Sequence, residues 1–285
     1  MKKMISVLLI LGCTLVFSGC GFRAAEPVSQ NLAVLMYHHF EDEENGFLFV
    51  SEERFREQLT ALKNHGYETV TIQQLLGFVE ENEPLPEKPL LITMDDGYAS
   101  NLEIAAPILE ELSMTATVFV IGISEGATHY AHTGEAFENP HFSYVDALPW
   151  IQRGVIDVQS HTYDLHQVER DGFSGRDGML RKAGETSEEH AAAILADCRR
   201  FKEARDETGL TELVAVAYPY GFYTPEIDKV LESEFKLSFT TKETMNIVTR
   251  EDLSTLRMLG RINVSGEYTG EMLIEKLGVL PLRER

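Results

Sequence analysis

The chain has 285 residues, 44% of them hydrophobic, and a formal charge of −21. That length suits one large α/β unit, and that apolar share fills a real core, which excludes a disordered chain. The acidity repels phosphate backbones and excludes nucleic acid as a partner; it suits a cationic polymer, or simply solubility.

The first residues read MKKMISVLLILGCTLVFSGCGF. Lys2 and Lys3 form a charged start, and an apolar stretch then ends in small residues before a cysteine, the pattern of an export signal. The ending FSGC resembles a bacterial lipobox, with Phe17 where that pattern usually has leucine. This implies cleavage before Cys20 and a lipid on its sulfur, with an uncleaved membrane anchor as the alternative. Residues 1–19 are then a signal peptide, 20–31 a lipidated N-terminus and linker, and 32–285 the folded domain. The resemblance implies that this domain is exported and lipid-anchored to the outer face of the bacterial cytoplasmic membrane. Cys13 leaves with the signal, so only Cys198 remains, without a disulfide partner. Near Ile194, Leu195 and Phe201 on a predicted helix, Cys198 reads as a small buried hydrophobe.

NLAVLMYHHF is an apolar run with a polar end, a buried strand entering a loop. SEERFREQLTALKNHG is a helix capped by Ser51, with Phe55, Leu59 and Leu62 at helical spacing and Gly66 as its stop. YETVT is a strand, IQQLLGFVEEN a helix, and PLLITMDDG a buried strand whose polar end begins at Asp95. Residues 102–112 are helical, and TATVFVIG is the next strand. Residues 124–140 read as an insertion with little periodicity. SYVDALPWIQRG is a helix, VIDVQSH a strand, and 167–186 a long Gly-rich, charged loop. SEEHAAAILADCRRFKEARDETG is a strong helix, and LVAVAYPYG a strand with a turn. TPEIDKVLESEF is a helix with Thr224 as cap and Pro225 at its first position. LSFTT and LGRINV are late strands, and TGEMLIEKLGVL a closing helix. The alternation predicts an α/β fold: a parallel (β/α)-barrel of seven or so strands, distorted or incomplete, with its chemistry on loops after the strand C-termini.

Four strand ends carry reactive side chains: MYHHF, TMDDGY, QSHTYDLH and AYPYGF. His161 and His166 lie five apart and would not share a helix face, so they are either a ligand pair on a loop or two unrelated surface histidines. Asp95-Asp96-Gly97 alone could be a turn or a helix cap. In a barrel, however, all four ends converge on one face.

With these residues in view, the chain resembles the polysaccharide deacetylases with a NodB-homology domain, carbohydrate esterase family four. TMDDG matches the family's T-F-D-D-G block, with Met94 in place of phenylalanine. SHTYDLH matches its histidine block in a five-apart form similar to that of the poly-N-acetylglucosamine deacetylases of biofilms. The Tyr37-His38 pair and YPYG match further blocks of that subgroup, so the resemblance runs from about Leu32 to Leu280. It implies a metal-dependent N-deacetylase of an N-acetylhexosamine polymer, most simply poly-β-1,6-N-acetylglucosamine. Alternatives are peptidoglycan or chitin oligomers as substrate, or an inactive carbohydrate-binding surface lipoprotein. Exopolysaccharide synthesis or export machinery is an implied neighbour.

The resemblance also implies roles. A divalent ion, zinc above cobalt or nickel, would be held by Asp96, His161 and His166, leaving a position open for water. Asp95 would be the general base and His38 the general acid, with His39 as the rival acid. The backbone N–H of Tyr220 would help hold the oxyanion. Ala217 stands where the wider family often has an arginine, and Arg261 is expected to supply that charge at the oxyanion or substrate. No D-x-x-D-W block is found, so the partner that orients His38 is open. Trp150 is the sole tryptophan and reads as a packing residue ahead of a sugar contact.

Overall fold

A computed structural model describes residues 27–41, 45–205 and 210–283. The expected signal and Cys20 lie outside the described residues.

The chain runs β1 (Ser29–Tyr37), β2 (His39–Glu41), β3 (Phe49–Ser51), α1 (Glu52–Asn64), β4 (Glu68–Thr69), α2 (Ile72–Glu80) and β5 (Pro89–Asp96). A π-helical turn at Asn101–Ala105 leads into α3 (Ala106–Leu112), followed by β6 (Ala116–Val120), α4 (Tyr144–Gln152) and β7 (Ile156–Ser160). Then come α5 (Ser187–Arg205), β8 (Ala215–Ala217), α6 (Pro225–Leu231), β9 (Leu237–Phe239), β10 (Asn246–Thr249), β11 (Ile262–Asn263) and α7 (Gly270–Val279). Capping side chains start the helices where the sequence places them. Ser51 accepts from the Arg54 N–H, Thr224 from that of Ile227, and Thr71 with Gln74 forms a reciprocal box.

β1, β5, β6, β7, β8 and β9 are parallel neighbours in that order. The segment 259–263 lies between the two ends of this row. Leu259 bridges Phe239 of β9, and β11 pairs in parallel with Leu35 and Met36 of β1. The result is the expected distorted barrel, with seven parallel strands on this circuit. Two features lie outside the expectation. β10 pairs antiparallel with the start of β1, and β2 and β3 form a separate parallel pair.

Strand residues alternate between two apolar bodies, as a period of two requires. Leu32 and Val34 of β1, Leu91 of β5, Phe119 of β6 and Phe239 of β9 cluster on one face. Ala33, Leu35 and Tyr37 face the other way, onto α1 and α3 with Phe55, Leu59, Ile108 and Leu109. Trp150 packs, half-buried, against this second body, with the Arg153 guanidinium 4.1 Å from its ring centre. Cys198 is buried with Ile194 and Leu231, and burial pushes its thiol up to about 12. Both residues take the packing roles read from the sequence.

Candidate metal and proton-transfer site

The alternation that builds the barrel also aims the site. Met36 pairs with Thr93, and Asp95 with Phe119, which pairs with Gln159. Thr93, Asp95, Phe119 and Gln159 therefore share one face, and His38 and His161 continue that parity just past the ends of β1 and β7. His39 has the opposite parity, and its ring is fully engaged. Its Nδ1 lies 2.9 Å from the Ser100 hydroxyl, its Nε2 2.8 Å from a Glu41 oxygen, and Tyr98 packs edge-on against it. The Nδ1 of His38, by contrast, is buried without a hydrogen-bond partner. The His38 backbone is fixed by Asn101, whose amide donates to its carbonyl at 2.8 Å.

Asp96 departs from strand geometry. Its φ of +74° and the +81° of Gly97 turn the chain sharply at the end of β5. Asp tolerates the left-handed region better than most residues, and position 97 needs glycine: a Cβ there would also stand 3.1 Å from a Val120 methyl. The turn brings Asp96 Oδ1 to 3.2 Å from His166 Nε2 and 3.5 Å from His161 Nε2. That oxygen is buried and makes no hydrogen bond. Three ligand atoms from Asp96, His161 and His166 all lie within 4.8 Å of one another. An orphaned buried carboxylate oxygen facing two imidazole nitrogens fits a divalent cation, because the bare arrangement leaves a buried acceptor unsatisfied.

The outer partners orient these ligands. His161 Nδ1–H donates to the Ala217 carbonyl at 2.9 Å, which leaves the Nε2 lone pair for a metal. The residue that stands in place of the family's arginine thus serves the site through its backbone. His166 Nδ1 lies 3.2 Å from the Tyr220 hydroxyl, and the two rings pack at 4.3 Å. Burial pushes His166 down to about 4 against the pull of Asp96, so its imidazole is neutral at neutral pH. Tyr220 has a φ of +56°, on the turn after β8, and its side chain is 47% exposed.

Asp95 is buried, and burial alone would raise its pKa. The Arg261 guanidinium overrides that, helped by His161 and His38, and holds the carboxyl well below the usual carboxylate range. Asp96 is lowered too: His166, His161 and His38 outweigh its burial. Arg261 calls for a correction. The sequence reading sets it at the oxyanion or substrate, but the structure seals it at 0% exposure behind Asp95. There its Nη1 and Nη2 hold both Asp95 oxygens at 2.6 and 2.8 Å, and its Nε donates to the Thr240 carbonyl at 2.9 Å. Sealed from solvent, the guanidinium acts on the carboxylate and offers no exposed surface to a ligand.

Sequence reasoning misses one side chain here, Asp197 of α5. It is buried, and its two oxygens accept the backbone N–H groups of Tyr163 and Asp164 at 2.8 Å each. It thus grips the loop between the two histidines. Burial pushes it up to about 6 despite those two donors. The available signal was a carboxylate among Ile194, Cys198 and Phe201, on the apolar stripe of a helix. On its other side the loop continues the barrel edge: the N–H groups of Gly122 and Ile123 donate to the carbonyls of Thr162 and Tyr163 at 3.0 and 2.8 Å. A Cβ at Gly122 would stand 2.8 Å from the Tyr163 ring and 3.2 Å from its Cα.

With this geometry established, comparison with known proteins is direct. The family model for polysaccharide deacetylase matches residues 82–234. That segment holds Asp95, Asp96, His161, His166, Asp197 and Tyr220; His38 and Arg261 lie outside it. The chain is 28% identical to YxkH of Bacillus subtilis, a candidate polysaccharide deacetylase, over 74% of this chain and 64% of that protein. It is 26% identical to the poly-β-1,6-N-acetyl-D-glucosamine N-deacetylase of Staphylococcus aureus, over 68% of this chain and 61% of that protein. Both matches span less than two thirds of the relative's length. Among solved structures, IcaB from Ammonifex degensii superposes with a TM-score of 0.69 at 24% identity, covering 87% of this chain and 97% of that one. A de-N-acetylase from Aggregatibacter actinomycetemcomitans gives 0.73 at 20% identity, covering 87% of this chain and all (100%) of that one. At these identities the likeness establishes the fold; the family model, which covers more than half of the sequence, establishes membership, and the chain belongs to the polysaccharide deacetylase family.

Proposed function

We propose that this chain removes N-acetyl groups from an N-acetylglucosamine polymer by metal-dependent hydrolysis, with poly-β-1,6-N-acetylglucosamine as the substrate. The observation that carries the reading is the orphaned Asp96 Oδ1 facing two imidazole Nε2 atoms, with a second carboxylate, Asp95, beside them. The linkage is that of the polymer on which the Staphylococcus aureus relative acts.

Asp96, His161 and His166 would hold the ion, zinc above cobalt or nickel. When bound there, such an ion lowers the pKa of a water molecule and polarises the acetamide carbonyl. Asp95, ionised and fixed by Arg261, accepts the proton of the attacking water. The water oxygen bonds to the carbonyl carbon, and the C–N bond then breaks. His38, of the same strand parity as Asp95 and with an unpaired Nδ1, delivers a proton to the departing nitrogen, leaving acetate and a free amine on the sugar. Tyr220 supports His166 through its hydroxyl, and its backbone N–H serves the developing oxyanion.

In the same reading the enzyme is exported and carried by a lipid on Cys20 at the outer face of the cytoplasmic membrane. There it would meet polymer leaving the synthesis or export machinery. The direct experiment is acetate release from β-1,6- and β-1,4-linked N-acetylglucosamine oligomers, in chelator and after zinc is restored. Turnover on the β-1,6 series that needs metal supports the proposal. Turnover confined to β-1,4 oligomers moves the substrate to chitin or peptidoglycan, and turnover in chelator removes the metal.

A further inference from the structure

Among the Phe, Tyr and Trp side chains of the described residues, four are more than a third exposed: Phe47, Tyr130, Phe173 and Tyr220. Three of them sit on loops that meet at the metal site. Tyr130 belongs to the 124–140 insertion, which folds back on itself through a bridge between His129 and Ala136. Phe173 belongs to the 167–186 loop, and Tyr220 to the turn after β8.

Each exposed ring is backed by another. Tyr130 packs on Phe137 at 4.1 Å, Phe173 on His132 at 5.0 Å, and Tyr220 on His166 at 4.3 Å. The backing rings are themselves anchored to the site. Phe137 leans on His141 at 4.6 Å, and His141 donates from Nδ1 to the Asp96 carbonyl at 3.0 Å. His132 Nε2 meets Asp164 Oδ1 at 2.8 Å, in the loop between the two ligand histidines, and the Gln167 amide donates to the same oxygen at 2.6 Å. His132 thus joins the insertion both to Phe173 and to the histidine loop, and Tyr220 packs on His166 of that same loop, so the three loops meet at one place.

Singly exposed hydrophobics are ordinary and need no explanation. Three exposed rings on separate loops, each held in place and each tied to the same metal site, are not accounted for by folding. Holding a ring rigid removes the entropy cost of ordering it on binding. We infer that Tyr130, Phe173 and Tyr220 form a stacking rim for the sugar rings of the polymer next to the unit being deacetylated. The occupant follows from continuity with the site, and the inference rests on the deacetylase reading above. A hexosamine polymer presents apolar C–H faces that lie flat on aromatic rings and hydroxyl edges that remain in water. Each sugar placed on the rim adds contact that the reacting unit alone cannot make. The rim therefore predicts affinity that grows with chain length.

The test uses the full chain in chelator, where substrate persists, titrated calorimetrically with β-1,6-linked N-acetylglucosamine from monomer to pentamer. In the wild type, affinity should rise with length. Tyr130→Ala and Phe173→Ala should each weaken pentamer binding by about three- to tenfold and flatten that rise. Tyr130→Phe and Phe173→Tyr, which keep a ring, should restore it. The rim is overturned if both alanine variants bind pentamer like wild type, if they lose monomer and pentamer equally, or if wild-type affinity is flat with length. Acetate release by the zinc-loaded enzyme separates the two readings. Release with no length dependence keeps the enzyme and removes the rim. Length-dependent binding without release keeps the rim and removes the enzyme.

Discussion

Arg261 closes on both carboxylate oxygens of Asp95, Nη1 at 2.6 Å from Oδ1 and Nη2 at 2.8 Å from Oδ2. A bidentate guanidinium fixes the plane of a carboxylate as well as its charge. Arg261 is itself locked by Thr240 and Thr93, so Asp95 presents its oxygens in one orientation. The arrangement costs basicity, since an ideal general base has a pKa near the working pH. Asp95 gains position and permanent ionisation in exchange for proton affinity.

Arg261→Met removes the cation and leaves burial to push Asp95 up. The acid limb of the pH–kcat profile should then move to higher pH. An unpaired buried carboxylate should also lower stability by about 3–5 kcal/mol. The pH–rate profile and urea unfolding read both effects; an unmoved acid limb would show that Arg261 does not govern Asp95.

His161→Ala, His166→Ala and Asp96→Asn should each lose bound zinc, while Asp95→Asn keeps it and loses about a hundred- to ten-thousand-fold in kcat. Elemental analysis beside turnover decides. Zinc lost from Asp95→Asn but retained in Asp96→Asn would mean that the two aspartates have exchanged roles.

Substitution should separate the adjacent histidines. His38→Ala should retain zinc and lose the alkaline limb of the pH profile together with most turnover. His39→Ala should instead disturb the Ser100 and Glu41 contacts and lower the melting temperature, keeping both limbs. Normal turnover in His38→Ala would remove it as the acid.

Asp197→Ala leaves the Tyr163 and Asp164 N–H groups without their acceptor, at about 1–3 kcal/mol for each buried donor. Because that loop carries both ligand histidines, zinc affinity should fall by about 10- to 100-fold. Zinc titration of the folded variant tests this, and wild-type affinity would reduce Asp197 to a purely structural contact.

The metal-free protein should be acid-sensitive through His166. Its folded pKa is depressed by burial to about 4, below the 6.5 of an ordinary histidine in an unfolded chain. The unfolded chain therefore binds the extra proton first. The stability contributed by neutral His166 is complete above pH 6.5 and lost progressively as pH falls through about 4. Urea midpoints across this window, compared with those of His166→Asn, measure it; parallel curves would contradict the shift.

Much of this was legible because barrel strands write their orientation locally. The parity of Leu32 and Val34 carries through to His38, and Leu91 predicts the inward aim of Asp95. What escaped was non-local or too short for periodicity. β11 has two residues, so nothing in its neighbourhood shows that Arg261 lies against a carboxylate far earlier in the chain. Asp197 sits on a helix whose apolar stripe invites a purely packing interpretation. The 124–140 and 167–186 segments have no period at all, and their order comes from ring stacking, from His132 on Asp164 and from Arg176 on Glu185.

The placement of residues 259–263 between β9 and β1 also bears on the order of assembly. The strand ends carrying His38, Asp95, Asp96, His161 and His166 are all synthesised before the arginine that neutralises Asp95, which lies 166 residues beyond it. Closing so long a loop is slow, and its entropic cost must be met before the contact forms. The charge balance at Asp95 therefore depends on the barrel seam, where residues 259–263 meet β9 and β1. A nascent chain, or one clipped before Arg261, carries the five polar side chains with Asp95 unpaired, so under the proposed function activity would report that the whole domain has folded.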